Sequence, residues 1–521
     1  MQIPHVLSTA IAFVPLALMT AAALLTRLDH VSTARLWRVF QAFSFGALLV
    51  TGLAILIGVD GLLWPGAVRA TSLGLILALL VQLLGTVIGG FSARYLQGEA
   101  GQRRYVAALA AVLAAVHLLL MADHWLLLIG AWASVGAALQ YLLCFYPDRP
   151  FALLAAHKKR VADRAADALL LGAAALAWLE VGSGSLSALW IHIARHGMST
   201  PLQASALALV LAVILRTALL PVHGWLIQVM EAPTPVSALL HAGVINLGGF
   251  VLIRFAPLLE EATPARVLLL LFGLATAVLA GMVMLTRISI KVRLAWSTVA
   301  QMGFLLLECA LGLYTLAALH LIGHSLYKAD AFLSASAVVR QTRLQALHSF
   351  SSPSTFSLAL APVLTVFIVL SVLALSGQVS WPWWWSVVLG LAWAPLLWLP
   401  AAPADPPARS GRVLFGLLMV AGLTVAAIAA HALPLGMQDA PAPWLGLIAL
   451  MGMLALYLCQ ALLQRRPQLL SRWRRWSYAG FYVDEAYTRL ALQLWPADWN
   501  PAASRYPDPK AATASQAEVS H

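Results

Sequence analysis

His320, His324 and Lys328 stand at i, i+4 and i+8 inside the apolar run ALHLIGHSLYKADAFLSA. In a helix each step of four residues turns about 40° and rises about 6 Å, so the three side chains form a slanted stripe on one face. Imidazole titrates near neutrality, and a desolvated amine can be drawn toward the same range. A ladder of such groups at hydrogen-bond or one-water spacing suits proton transfer. One histidine in such a run reads most simply as polar glue between helices. Three basic groups in register favour the relay.

Other polar residues in apolar surroundings extend the set, because a charge near a bilayer centre costs several kcal/mol and marks a functional position by default. Glu308 could pair with Arg216 or Lys328, or relay protons as a neutral acid; its place near a helix end also fits a wetted carboxylate. Asp330 lies on another face from Lys328 and completes the candidate pathway. Arg216 precedes Pro221 in LALVLAVILRTALLPVHGWL. Pro221 removes an amide donor and frees a carbonyl about one turn earlier, near Thr217. A broken membrane helix survives only where protein or water satisfies its backbone, and transporters place ion sites at such breaks. Glu231 follows at a mouth, and Ser237 and His241 are i, i+4 after it. His117 stands alone and reads as core packing.

The elements that must position these groups follow from composition. The 521 residues are 61% hydrophobic and 10% charged, with a mean hydropathy of +0.86. Soluble domains carry about 25% charged residues. A soluble globular, disordered, coiled-coil or nucleic-acid-binding chain is therefore excluded, and lipid is the solvent. Cys144, Cys309 and Cys459 are scattered in apolar runs, with no thiolate cluster for a metal. No cofactor is expected in this chain.

About fifteen runs are long enough to span. They are 4–26, 39–59, 71–91, 105–122, 125–146, 165–183, 203–222, 233–256, 266–286, 294–313, 315–338, 356–377, 384–400, 412–432 and 443–463. The predicted fold is an all-α polytopic membrane protein over 1–464. The basic, Trp-rich segment RRPQLLSRWRRW, within a cytoplasmic tail over 465–499, suits anionic headgroups, and 477–495 reads as an amphipathic interfacial or docking helix. Residues 500–521, rich in Pro, Ala, Ser and Asp, read as disordered.

Orientation comes from the 32 Lys and Arg behind the net charge of +12. Counting loops by the span they follow, 26 fall in odd loops and the tail, four in even loops, and two (Arg216 and Lys328) inside spans. By the positive-inside rule the N-terminus faces outside and the C-terminus faces the cytoplasm of a bacterial inner membrane.

Five blocks carry a family resemblance, in order from about residue 70 to 340. They are FSARYLQGEAGQRRY (91–105), MADHWLLLIGAWASVG (121–136), PVHGWLIQVMEAPTPVSALLHAG (221–243), ISIKVRLAWSTVAQMGFLLL (288–307) and ALHLIGHSLYKADAFLSASAVV (318–339). They resemble the proton-translocating antiporter-like subunits of respiratory complex I, Mrp cation/proton antiporters and membrane hydrogenases. The resemblance implies two inverted five-helix repeats, each with a broken helix, and a polar axis along the midplane. It places Arg216 where the family has a channel lysine. It places His241 at a polar position of span eight, and His320, His324 and Lys328 at the span-eleven histidine and lysine positions. Ala133 stands where the family has a glutamate, and no lysine-bearing broken helix is evident after residue 340.

Within that family the chain is most similar to the membrane subunits of two-component inorganic-carbon accumulation complexes. That resemblance implies a large cytoplasmic zinc-binding, carbonic-anhydrase-like partner that makes bicarbonate from CO₂. This chain would couple proton (or Na⁺) flow to the step. The alternatives are a cation/proton antiporter or respiratory-complex subunit, and a membrane anchor that only recruits a soluble enzyme. Catalysis by this chain alone is not expected.

Overall fold

The computed structural model describes residues 5–335, 352–377, 381–400, 406–466 and 468–496. The predicted disordered segment 500–521 and the end of the run 315–338 lie outside the described residues. The helices α1 (His5–Leu25) and α2 (Thr33–Leu56) lead into a short hairpin, β1 (Gly61–Trp64) and β2 (Val68–Ala70), the one sheet among the described residues. Then come α3 (Ser72–Tyr95), α4 (Gln102–Met121), α5 (Trp125–Leu143), α6 (Pro150–Val181), α7 (Leu186–His196) and α8 (Thr200–Arg216). Short pieces follow: α9 (Gly224–Gln228), α10 (Thr234–Ala242), α11 (Leu247–Arg254) and α12 (Ala256–Glu260). Long helices resume with α13 (Thr263–Met284), α14 (Ile290–Leu311) and α15 (Tyr314–Leu333). The chain ends with α16 (Thr355–Ser376), α17 (Trp383–Trp393), α18 (Pro406–His431), α19 (Pro443–Arg465), α20 (Ser471–Tyr478) and α21 (Val483–Leu494).

Among the described residues each predicted run holds helix over at least part of its length, but not all fifteen are long, apolar spans. Among the described residues, 11 helical spans are long and apolar enough to cross a bilayer, and two shorter apolar helices occupy 200–216 and 383–397. The runs at 165–183 and 315–338 hold the more polar α6 and α15. The helices bury an extensive core of Leu, Val, Ala and Trp, and leave many large apolar side chains exposed on their outer faces. That is the pattern a lipid-facing surface requires.

Three departures from the sequence reading matter for function. Helix α6 starts at Pro150 rather than near 165, so Lys158 and Lys159, counted as loop charges, are helical and buried. The proline at its first turn lacks only an N–H that the helix start would leave unpaired anyway. Second, 477–495 is not one helix. Phe481 and Tyr482 adopt positive φ and separate α20 from α21. Third, α17 runs into a 3₁₀ turn over 394–397 that contains Pro395, an interruption with no charged residue in it.

Candidate functional site

Two interruptions frame the polar residues. The first separates α8 from α9 at 217–223. Ala218 lies in the left-handed region at φ 53, and the Leu220–Pro221 bond is cis. The exposed backbone finds partners in protein: Leu220 N–H donates to Thr276 Oγ1 at 3.2 Å, and Val222 N–H to Leu219 O at 2.8 Å. His223, fully buried, closes the break against the Trp296 ring, with 4.8 Å between centroids. Its titratable neighbours include Asp484, Lys158 and Arg287.

The second interruption lies between α10 and α11, where Gly243 breaks the helix and a 3₁₀ turn spans Val244–Asn246. Asn246 Nδ2 donates to Ala242 O at 2.9 Å and to Ser325 Oγ at 2.8 Å. It thus compensates for a lost helical donor and ties the break to α15. His241, two residues before Gly243, is fully buried and stacks on Phe332 of α15 at 4.6 Å.

The stripe on α15 meets α14 along its length. Lys328 Nζ donates to Leu294 O at 3.0 Å and to Ser297 Oγ at 2.9 Å. His324 is buried, one turn from Lys328, with His320, Lys328 and His241 as its titratable neighbours. The His320 and His324 rings lie 6.1 Å apart. His320 Nδ1 is 2.8 Å from Glu308 Oε2, so Glu308 is paired neither with Arg216 nor with Lys328. A cavity of about 560 Å³ opens beside this file. Its polar lining includes Ser297, Gln301, Glu308 and His320. Ser297 touches both Lys328 and that cavity, so the lysine is one hydroxyl from a space that holds water-sized groups. Among the described residues, neither ring nitrogen of His241 or His324 finds a hydrogen-bond partner.

A second polar cluster lies on α6 and α8. Arg216 is held by the carboxylate of Asp167 and stacks over Trp132 at 4.7 Å. Asp167 also accepts from Arg164 at 3.3 Å. Lys159 pairs with Asp163 one turn apart and sits over Trp225 at 5.4 Å. Asp163, Asp167, Arg160, Arg164 and Arg216 line a cavity of about 240 Å³ whose opposite wall is Ala133, Gly136 and Ala137. Ala133 leaves space on the α5 wall of this cavity, and its acids come from α6.

The structure thus brings His320, His324, Lys328, Glu308 and His241 together, and sets Arg216 in a separate ion pair. Two predicted residues do not join. Asp330 is exposed on the opposite face of α15. Glu231 is half-buried, and its backbone carbonyl accepts from Arg149 Nη1 at 2.7 Å. Sequence reasoning missed Asp163, Asp167, Lys158 and His223. Asp163 and Lys158 were masked by the assignment of 147–164 to a loop, whereas Asp167 stood at the start of the predicted run 165–183 and was passed over. His223 sits in the PVHGW block and would have been found by asking what fills the break.

The model of the NADH:quinone oxidoreductase/Mrp antiporter transmembrane family matches residues 122–382. The probable inorganic carbon transporter subunit DabB of Hydrogenovibrio crunogenus is 38% identical over 442 residues, 83% of this chain and 84% of that one. Subunit DabB2 of Halothiobacillus neapolitanus is 42% identical over 320 residues, 59% of this chain and 58% of that one. NADH-quinone oxidoreductase subunit L of Mycobacterium tuberculosis is 31% identical over 318 residues, 57% of this chain and 50% of that one. In the solved Mrp complex of Dietzia sp., one chain superposes with a TM-score of 0.60 at 21% identity, covering 99% of this chain and 62% of that one, a likeness of fold.

Proposed function

The chain belongs to the DabB group of the NADH:quinone oxidoreductase/Mrp antiporter family, a multi-span membrane subunit, and from that premise we propose that it couples proton flow to inorganic carbon uptake. The observation that carries this reading is the file Lys328–His324–His320–Glu308 beside a cavity, with Lys328 held by Ser297 and Leu294 O. A proton needs only titratable groups at hydrogen-bond or one-water spacing, and the file supplies them. Sodium would need a cage of oxygen ligands, and Glu308 is the one carboxylate in the file.

In this reading protons enter from outside and leave toward the cytoplasm along Glu308, His320, His324, Lys328 and His241. Arg216, held by Asp167, acts as a fixed field beside the path. The chemistry of carbon belongs to a partner: a large cytoplasmic carbonic-anhydrase-like protein whose zinc makes hydrogencarbonate from CO₂. In this reading the basic loops and tail face the cytoplasm, where such a partner would dock. Glu231 and Asp330 are left at the edges of the path.

Lys328→Ala tests the proposal. Uptake of labelled inorganic carbon should fall to background while the chain and its partner still co-purify. Full uptake in a variant present at normal level in the membrane would sink it. The Mrp-like fold supports one rival reading, a cation/proton antiporter; cation-dependent dissipation of a proton gradient in everted vesicles would favour it.

A further inference from the structure

The C-terminal helix α21 folds back onto the break between α8 and α9 and places one carboxylate inside the membrane domain's own polar network. Asp484 pairs with Lys158 of α6 and accepts from Gln228 Nε2 of α9 at 3.2 Å. Lys158 also donates to Thr488 Oγ1 at 2.9 Å and to Gln228 Oε1 at 3.3 Å. Tyr487 donates its hydroxyl to Lys158 O at 2.7 Å. Thus three tail side chains converge on one lysine.

The fit extends to the backbone. A Cβ on Gly224, the first residue of α9, would fall 1.3 Å from Asp484 Oδ1. Only glycine lets the carboxylate lie against the end of the break, where His223 is buried with Asp484 and Lys158 among its titratable neighbours. Exposure divides the pair unequally: the Lys158 side chain is 0% exposed and that of Asp484 28%. A half-wetted acid standing before a buried lysine is the arrangement of an entry group. His223 in turn packs on Trp296, adjacent in sequence to the Ser297 that holds Lys328.

We infer that Asp484 is a working residue of the pathway, the proton-exchange group between solvent on the arginine-rich side and the buried Lys158 and His223. The inference rests on the proton-coupling reading above. The step is balanced within the pair: a proton leaves the Lys158 ammonium for the Asp484 carboxylate, giving an amine and a carboxylic acid, and then passes to water. Running in reverse, water reprotonates the pair. The tail helix is thereby part of the translocating unit, and the path on this side is complete only with α21 docked.

The test uses the full chain with its partners in cells. D484N, D484E and K328A are compared for uptake of ¹³C-labelled inorganic carbon, and docking is read as protection of the amides of α21 from hydrogen exchange in everted vesicles. D484N is expected to lose uptake at least ten-fold with the tail still protected, and D484E to recover at least half. Uptake at the normal rate in D484N with K328A inactive overturns this inference alone; normal uptake in K328A overturns the proton-coupling reading itself. Should D484N release the tail, Y487F/T488V decides. It removes two tail bonds to Lys158 and keeps the carboxylate, so retained uptake supports Asp484 and lost uptake assigns the effect to docking and overturns the relay.

Discussion

Arg216 of α8 is neutralised by Asp167 of α6, a residue 49 positions earlier in the chain and on the helix that packs along it. The guanidinium is almost fully buried, its Nε has no hydrogen-bond partner among the described residues, and Trp132 covers one face. Such a charge is tolerated because the carboxylate is fixed beside it. Removing one member of a buried pair leaves the other uncompensated and costs about 3–5 kcal/mol. D167N should therefore lower the thermal midpoint of the detergent-solubilised chain clearly. R164A, which removes an exposed partner of the same aspartate, should leave it nearly unchanged. Equal midpoints for the two variants would show that Asp167 does not hold Arg216.

Glu308 and His320 test the relay at its other end. E308Q preserves size and a hydrogen-bonding group for His320 but cannot carry a proton. Uptake of labelled carbon should fall ten-fold or more, with the amount of chain in the membrane unchanged. E308D should retain a measurable part of the rate. If E308Q transports normally, the pair is a structural contact between α14 and α15 and the path ends before it.

Asn246 bridges the break in α10–α11 to α15. N246L removes its bonds to Ala242 O and Ser325 Oγ and leaves both acceptors in a dry environment. An unsatisfied buried polar group costs about 1–3 kcal/mol. Unfolding in a denaturant series should shift accordingly, and uptake should drop because His241 loses its fixed position next to the break. A neutral result on both readouts would mean that the break is held by packing alone.

Orientation can be read by chemistry. In a background with Cys144, Cys309 and Cys459 replaced by serine, R195C should react with a membrane-impermeant maleimide in intact cells. R466C should react only after the cells are opened. The reverse pattern would invert the topology and with it the direction assigned to the path.

Much of this protein is written locally. The apolar runs specify helices because a backbone in lipid must satisfy its own hydrogen bonds, and each run does so whatever its neighbours are. The spacing of His320, His324 and Lys328 specifies a shared face by helical geometry, and Pro221 specifies a break. None of these needs a tertiary contact, and each is legible in the chain. Pairing is different, because it depends on which helices lie side by side. Glu308 had two candidate partners in the sequence, Arg216 and Lys328, and bonds to neither, but to His320, twelve residues on. Asp330 shares the run of the stripe and faces away from it. Lys158, read as a loop charge, becomes a buried cation only because α6 begins early and α21, more than 300 residues later, returns to cover it. A charge in a sequence has no dielectric. Burial and the distance to a counter-charge are set when distant helices meet, and only the folded arrangement of α6, α8, α14, α15 and the tail settles which of these groups are paired, which are wetted and which are left poised.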